Sequence, residues 1–269
     1  MTAPLPRLLL AALLSLAALP LQAGDAWDSI RTQLYGDRPM LPGDGIIALD
    51  APYRTDNDAR TRIAAQVAAP QGGQIGKVAV VLDENPMPVS ALFELRQPQP
   101  RFFFDTTLRI NGPTPLHVVA EMTDGRLFVT EAFVKTSGQG ACAAPPGTDP
   151  EAALATLGDM VLSVGDGPAA DRLAALSERL RRLDVDISHP SHSGMQMDQI
   201  SLLFIPMRYV ETLEIETENG GYVDVTGSIS LSENPQVGLS VPADTRRVGV
   251  TMTDTSGTVT TAETELAGF

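Results

Sequence analysis

Cysteine is nearly absent from the sequence, since Cys142 is the only one among 269 residues. A lone cysteine excludes an internal disulfide. In an oxidising compartment it is therefore either a reactive site or the point of a disulfide-linked dimer. Its small neighbours, Gly138, Gly140, Ala141 and Ala143, predict a flexible arm with little steric cover. We therefore expect an exposed, mobile thiol suited to chemistry with a large partner.

Basic residues are also scarce, with 19 Lys and Arg against 33 Asp and Glu and a net charge of −14. Such a field repels nucleic acid and anionic lipid, so neither is expected as a partner. It favours docking onto basic patches of other proteins. Solubility alone is an alternative reason for the acidic balance.

Long apolar runs are missing except at the N-terminus. There, Arg7 precedes an apolar run over 8–19, and Leu21-Gln22-Ala23 resembles a cleavage site. This pattern predicts a secretory signal peptide over residues 1–23, and the run is too short for a spanning helix. An uncleaved anchor is the less favoured alternative. We expect a periplasmic protein of bacterial type with no membrane insertion after cleavage.

Aromatic residues make up only 5% of the chain, so a few phenylalanines are expected to fill much of the core. Short strand-like runs separated by turn signals predict an all-β fold with short helical additions. A helix is predicted over 27–35. The predicted strands of the first half are 46–49, 61–68, 76–82, 89–95, 102–110, 116–122 and 127–135. The expected core phenylalanines are Phe93, Phe102, Phe104, Phe128 and Phe133.

The Pro- and Gly-containing stretch 143–150 is the clearest boundary in the chain. We predict an immunoglobulin-like β-sandwich over 24–137, a cysteine arm and linker over 138–150, and a second such sandwich over 151–269. A helical turn at 151–157 and an amphipathic helix at 169–183 are expected in the second half. The predicted strands there are 160–164, 185–189, 196–205, 209–217, 222–231, 236–241, 246–253 and 258–265.

A second cluster of chemically capable residues is His189, His192, Met195 and Met197. Imidazole and thioether groups are acceptable copper ligands. The competing interpretation is a hairpin connection whose methionines enter the core, and it is favoured. Hydrolase motifs are absent, and Gly138-x-Gly140 lacks the helix that phosphate binding requires. No cofactor is predicted, and a pairing of Cys142 with a histidine has no local support.

Several motifs, each weak alone, occur in the order of a known family. In the first half these are Val78–Leu82 with Asn85-Pro86, Met122-x-Asp124-Gly125, and a Val-Lys-Thr strand running into the glycine-containing cysteine arm. This half resembles SoxY, the sulfur-carrying subunit of the periplasmic Sox system. The second half resembles SoxZ through His189-Pro190 with Gly194, Ile205-Pro206, Gly227 to Asn234-Pro235, and Thr253-Asp254 with Gly257.

The chain as a whole resembles fused SoxYZ-like carriers associated with quinoprotein dehydrogenases. The resemblance implies that Cys142 is a covalent attachment site on a swinging arm and that the protein is not an enzyme. It implies periplasmic redox enzymes or cytochromes as partners, with a quinoprotein dehydrogenase among them. The arm of the family ends its chain, whereas here it continues into the second half. The alternative is a non-covalent accessory module of a quinoprotein dehydrogenase system, in which Cys142 is incidental.

Overall fold

The structure, a computed structural model, describes residues 24–138, 140–166 and 180–265. The predicted signal peptide lies outside these residues, as does most of the helix predicted at 169–183. Strands account for 52% and helices for 7% of the structure, which confirms the all-β class. No helix in the described ranges is long and apolar enough to cross a membrane.

Two helices and fifteen strands follow one another along the described residues. Those before the cysteine arm are α1 (Gly24–Tyr35), β1 (Met40–Pro42), β2 (Ile47–Asp50), β3 (Thr61–Ala68), β4 (Ile75–Leu82), β5 (Val89–Gln99), β6 (Arg101–Leu108), β7 (Thr114–Met122) and β8 (Leu127–Val134). Those after it are α2 (Pro150–Ala155), β9 (Met160–Asp166), β10 (Leu180–Ile187), β11 (Val210–Thr217), β12 (Gly220–Gly227), β13 (Gln236–Pro242), β14 (Arg247–Asp254) and β15 (Val259–Glu265).

Local sequence explains where these elements start and stop. The strands are rich in Val, Ile, Thr and Phe, which fit a pleated sheet with a buried face. The β7–β8 turn has Gly125 at φ +88°, a backbone conformation that glycine adopts without strain. Helix α2 is capped by the side chain of Asp149, which accepts from the backbone amides of Glu151 and Ala152, and it has Pro150 at its start.

The two halves share both of their sheets. The nine-stranded sheet runs β1-β8-β7-β4-β5-β12-β11-β14-β15, and the six-stranded sheet runs β2-β3-β6-β13-β10-β9. The halves meet where β5 pairs antiparallel with β12, and β6 with β13. The two predicted sandwiches are thus joined edge to edge, and their buried apolar residues form one cluster.

Most of the phenylalanines predicted for the core are buried, and three of them lie on the strands at this junction. Phe93, Phe102 and Phe104 are fully buried, with ring centroids of Phe93 and Phe104 4.8 Å apart. Phe128 is also buried, but Phe133 is 42% exposed, so its assignment to the core was wrong. Phe133 lies five residues beyond Phe128 on β8, and an odd spacing places it on the opposite face of the strand.

Two local predictions failed, and one strand was missed. Residues 180–183, predicted as the end of a helix, belong to β10, where Leu183 pairs with Leu239 of β13. The predicted strand at 196–205 is an irregular loop with one isolated bridge between Met197 and Phe204. Strand β1 was missed because it is three residues long and pairs in parallel with β8, a contact that sequence pattern does not reveal.

The shared core predicts that the two halves unfold together. Replacing Phe104 by Ala should lower the free energy of unfolding by about 3–5 kcal/mol, because it removes a fully buried ring at the junction. Urea denaturation followed by circular dichroism should show one transition. Phe133→Ala is the matched control and should cost less than about 1 kcal/mol. Two separate transitions, or equal effects of the two variants, would contradict a shared core.

Candidate functional site

Cys142 lies in the connection between β8 and α2, where the chain passes from the first half to the second. Its side chain is 0% exposed, so the prediction of an exposed thiol was wrong. Ala141 is also buried, while Gly138 and Ala143 are exposed. The neighbours of the cysteine are small, and a loop from the second half bonds to the backbone of this segment.

Hydrogen bonds from both halves hold the backbone around the cysteine. The Cys142 amide donates to Oδ1 of Asn111 at 3.2 Å. From the second half, the Ser193 hydroxyl donates to the Cys142 carbonyl, and Nε2 of Gln196 donates to the Ala144 carbonyl at 3.0 Å. These contacts dock residues 141–144, which we call the docked arm, between the two halves.

The ends of the connection are fastened separately. The Ser137 amide donates to Oδ2 of Asp58 at 2.9 Å, and the Gly147 amide donates to Oε2 of Glu233 at 2.8 Å. Between them, Gly140 has φ +71° and accepts from the Ala143 amide at 3.0 Å, which closes a turn. The structure therefore shows one docked conformation, and the mobility of the arm stays a prediction.

Arg109 is one of the residues of this site that the sequence reasoning missed. Its side chain is buried, and its Nη1 donates to the carbonyls of Ser191 at 2.6 Å, Leu231 at 2.8 Å and Ile229 at 3.3 Å. It thus ties the first half to the loop that bonds to the docked arm. The available signal was an arginine between Leu108 and Ile110 in an otherwise apolar strand end.

Two opposing effects act on the thiol. Burial raises the pKa of Cys142, and the nearby Arg109 cation lowers it, with burial the larger effect. Burial also lowers the pKa of Arg109, opposed by the charges of Cys142 and Glu233. The docked arm therefore keeps the sulfur as a neutral thiol, the less reactive form.

A cavity of about 340 Å³ lies beside the docked arm. Ala141, Ala144 and Pro145 of the connection form part of its wall, and Arg109 and Arg60 bring positive charge to it. The remaining lining residues are Asn57, Ala59, Gly147, Thr148, Gln196, Glu233 and Asn234. Space and charge are therefore available next to the arm for a small polar group.

The predicted His and Met cluster is only partly assembled. The Ser191 amide donates to Nδ1 of His189 at 2.9 Å, so Nε2 carries the proton and faces Oδ2 of Asp254 at 3.4 Å. Burial lowers the pKa of His189 to about 4, so it is neutral at pH 7. His192 contacts Gln196 instead, at 3.1 Å. Both imidazoles thus bond within the loop that holds the docked arm.

The methionines of that cluster do not enter the core. Met195 and Met197 are both exposed, which contradicts the favoured hairpin interpretation. In the described part of the chain, no group of three His, Cys, Asp or Glu residues is placed to hold a metal ion. The copper hypothesis stays a prediction. His117 lies elsewhere, with Nδ1 3.0 Å from Oδ1 of Asp83 and its ring stacked on Trp27.

Comparison with protein families gives two matches in sequence order. Residues 31–142 match the family described as Sulfur oxidation protein SoxY, and residues 172–265 match the family described as Sulphur oxidation protein SoxZ. The first match ends at Cys142. The comparison with curated proteins found no match.

Solved structures that resemble part of the chain include a sulfur carrier protein and a superoxide reductase. The sulfur carrier protein SoxY from Chlorobium limicola f thiosulfatophilum is 19% identical, with a TM-score of 0.35, over 42% of this chain and 93% of its own. A superoxide reductase (neelaredoxin) from Ignicoccus hospitalis is 13% identical, with a TM-score of 0.26, over 42% of this chain and 91% of its own. Scores this low carry no functional argument.

The raised pKa predicts slow, strongly pH-dependent alkylation of Cys142. The docked arm holds the thiol proton more tightly than a solvated arm does. The protonated thiol therefore contributes its full stabilisation of the docked arm at pH values below the ordinary thiol pKa of about 8.5. That stabilisation is lost as the pH rises from there through the higher pKa of the docked thiol. Iodoacetamide rates measured from about pH 7 to 10 should show a higher midpoint for the folded protein than for the protein in concentrated guanidinium. A lower midpoint in the folded state would contradict the docked arrangement.

Weakening the docked arm should speed this reaction. Gln196→Ala removes the hydrogen bond to the Ala144 carbonyl, worth about 1 kcal/mol, so alkylation near pH 8 should be roughly fivefold faster. Gln99→Ala is the matched control, because the Gln99 side chain bonds to the Gln97 carbonyl on its own strand and not to the docked arm. Equal rates for the two variants would show that Gln196 does not hold the arm.

Proposed function

Since residues 31–142 belong to the SoxY family and residues 172–265 to the SoxZ family, we propose that the protein is a covalent carrier. It holds a sulfur-containing group on the thiol of Cys142 and presents that group to partner enzymes. The observation that supports this most directly is the position of Cys142. It is the only thiol, it stands where the SoxY match ends, and it lies on a connection between strands and helix.

The chemistry is that of a disulfide-type bond. The Cys142 thiol and a reduced sulfur compound X–S⁻ combine to give Cys142–S–S–X, and the reaction releases one proton and two electrons. Those electrons need an acceptor. In this proposal the electron acceptor belongs to the partner, which is a periplasmic redox enzyme or a cytochrome with a haem. Cys142 is thus an attachment point, and catalysis belongs to the partner.

Burial in the docked arm suits a carrier at rest. A neutral, covered thiol reacts slowly with stray oxidants and other thiols, which protects a lone cysteine in an oxidising compartment. Few hydrogen bonds hold the docked arm, each worth about 1 kcal/mol, so a docking partner has enough binding energy to release it. The adjacent cavity gives a carried group room when the arm returns.

The sequence supports a compartment and a class of partner for this carrier. The proposed signal peptide over residues 1–23 directs it to the periplasm, and the net charge of −14 favours partners with basic surfaces. A quinoprotein dehydrogenase or its cytochrome is included among the proposed partners, in keeping with the fused arrangement of the two halves.

The carrier proposal predicts a removable mass on Cys142. Protein purified from cells oxidising reduced sulfur compounds should show a mass increment that reductant removes and that maps to Cys142. Cys142→Ser should lose the increment completely while keeping its circular dichroism spectrum and melting temperature. Ala143→Ser is the matched control, since this exposed neighbour leaves the thiol in place, and it should retain the increment.

Unmodified protein under all growth conditions would contradict a covalent carrier. If Cys142→Ser then also supported normal activity of the partner system, the protein would be an accessory module that acts through non-covalent contacts.

A further inference from the structure

One loop of the second half exposes an unusual number of large apolar side chains. Of the fourteen large hydrophobic residues that are exposed in the described ranges, seven lie within residues 195–207, and Ile200 is 95% exposed. We call residues 195–207 the apolar loop. Its exposed apolar members are Met195, Met197, Ile200, Leu202, Leu203, Phe204 and Met207.

The exposure of these side chains is not a sign of missing structure. The Asp198 amide donates to the Leu203 carbonyl at 2.9 Å, and the Ile205 amide donates to the Gln196 carbonyl at 2.8 Å. The base of the loop is closed by the bond from the Arg208 amide to the His192 carbonyl at 3.0 Å. A loop bonded in this way presents its apolar residues as a fixed surface, and exposed apolar clusters of this kind mark interaction sites.

The apolar loop and the segment just before it also hold the docked arm. Ser193 and Gln196 donate to the carbonyls of Cys142 and Ala144, and His192 positions Gln196 through its side-chain amide. A body that binds Met195, Met197 and their neighbours therefore contacts the element that bonds to the docked arm. The apolar loop and the docked arm are joined through Gln196 and the adjacent Ser193.

We propose that the apolar loop is the docking surface for the enzyme that exchanges the group on Cys142. The partner presents an apolar cleft for the loop, with a basic rim around it. This inference rests on the proposed carrier function and names the place where the partner binds. Docking on residues 195–207 displaces the bonds from Ser193 and Gln196, and the thiol then becomes accessible to the active site of the partner.

Charge selects this occupant over others. Between residues 189 and 207 only Asp198 carries a formal charge at pH 7, while the whole chain carries −14. A second copy of the chain would bring the same negative charge to the contact, and an anionic membrane would be repelled as well. A basic rim around an apolar cleft complements the apolar loop with its one charged residue, Asp198, and the net negative charge of the protein.

The test asks whether two independent crosslinking experiments in living cells capture the same protein. A photo-crosslinking amino acid is placed at Phe204, and in a second experiment Cys142 is trapped as a mixed disulfide with whatever protein attacks it. Both experiments are read by mass spectrometry. A crosslinker at Val259, which is exposed on the edge strand β15, is the control position.

The expected result is that position 204 and Cys142 capture the same enzyme and that position 259 does not. Capture at 204 in extracts should weaken as salt is added, because the rim is held by charge. The proposal is overturned if position 204 captures a second copy of this chain, lipid, residues 167–179 of its own chain or a different protein. It is also overturned if Cys142 traps an enzyme and position 204 captures nothing.

A set of variants separates this inference from the proposed function. Ile200→Ser, Leu203→Ser and Phe204→Ser together should slow exchange with the captured enzyme at least tenfold, while a small thiol-reactive probe still labels Cys142. Leu154→Ser, Val161→Thr and Val259→Thr together remove three exposed apolar residues elsewhere and should leave exchange unchanged. Normal exchange in the loop variant would contradict the proposed docking surface alone. Absence of the mass increment in the wild-type chain would contradict the proposed carrier function.

Discussion

Two strand pairings across the middle of the chain hold the whole arrangement together. Strand β5 pairs with β12 in one sheet, and β6 pairs with β13 in the other, so both layers run unbroken from one half to the other. The buried rings of Phe93, Phe102 and Phe104 lie on β5 and β6 and fill the space between these layers. Because the halves are fixed in this way, the loop of the second half that contains Ser193 and Gln196 can bond to the docked arm.

The cysteine site is a product of that fixed arrangement. Asn111 and Arg109 come from the first half, and Ser193 and Gln196 come from the second, yet all four contact or support the same few residues. Burial keeps the thiol protonated despite the nearby arginine cation. The thiol of the docked arm is therefore poorly reactive, and it becomes reactive only when the arm is displaced.

Local pattern was enough for most of the fold, because period-two alternation and turn residues are local. Strand β3 was predicted at its observed bounds, and most other strands within a few residues. The site was harder. The importance of Cys142 was evident from its rarity, but its burial depends on Ser193 and Gln196, some fifty residues away, and no local pattern encodes such a contact. Likewise, Phe133 was misassigned because strand register, not hydrophobicity, decides which face is buried.

The shared sheets also decide which strand edges are open. Without β12 and β13, β5 and β6 would be open edges of the two sheets with unpaired amides and carbonyls. Open edges of apolar strands pair readily with other chains and promote aggregation. The second half therefore covers two strand edges of the first, and a chain that ended at the cysteine arm would leave both edges open.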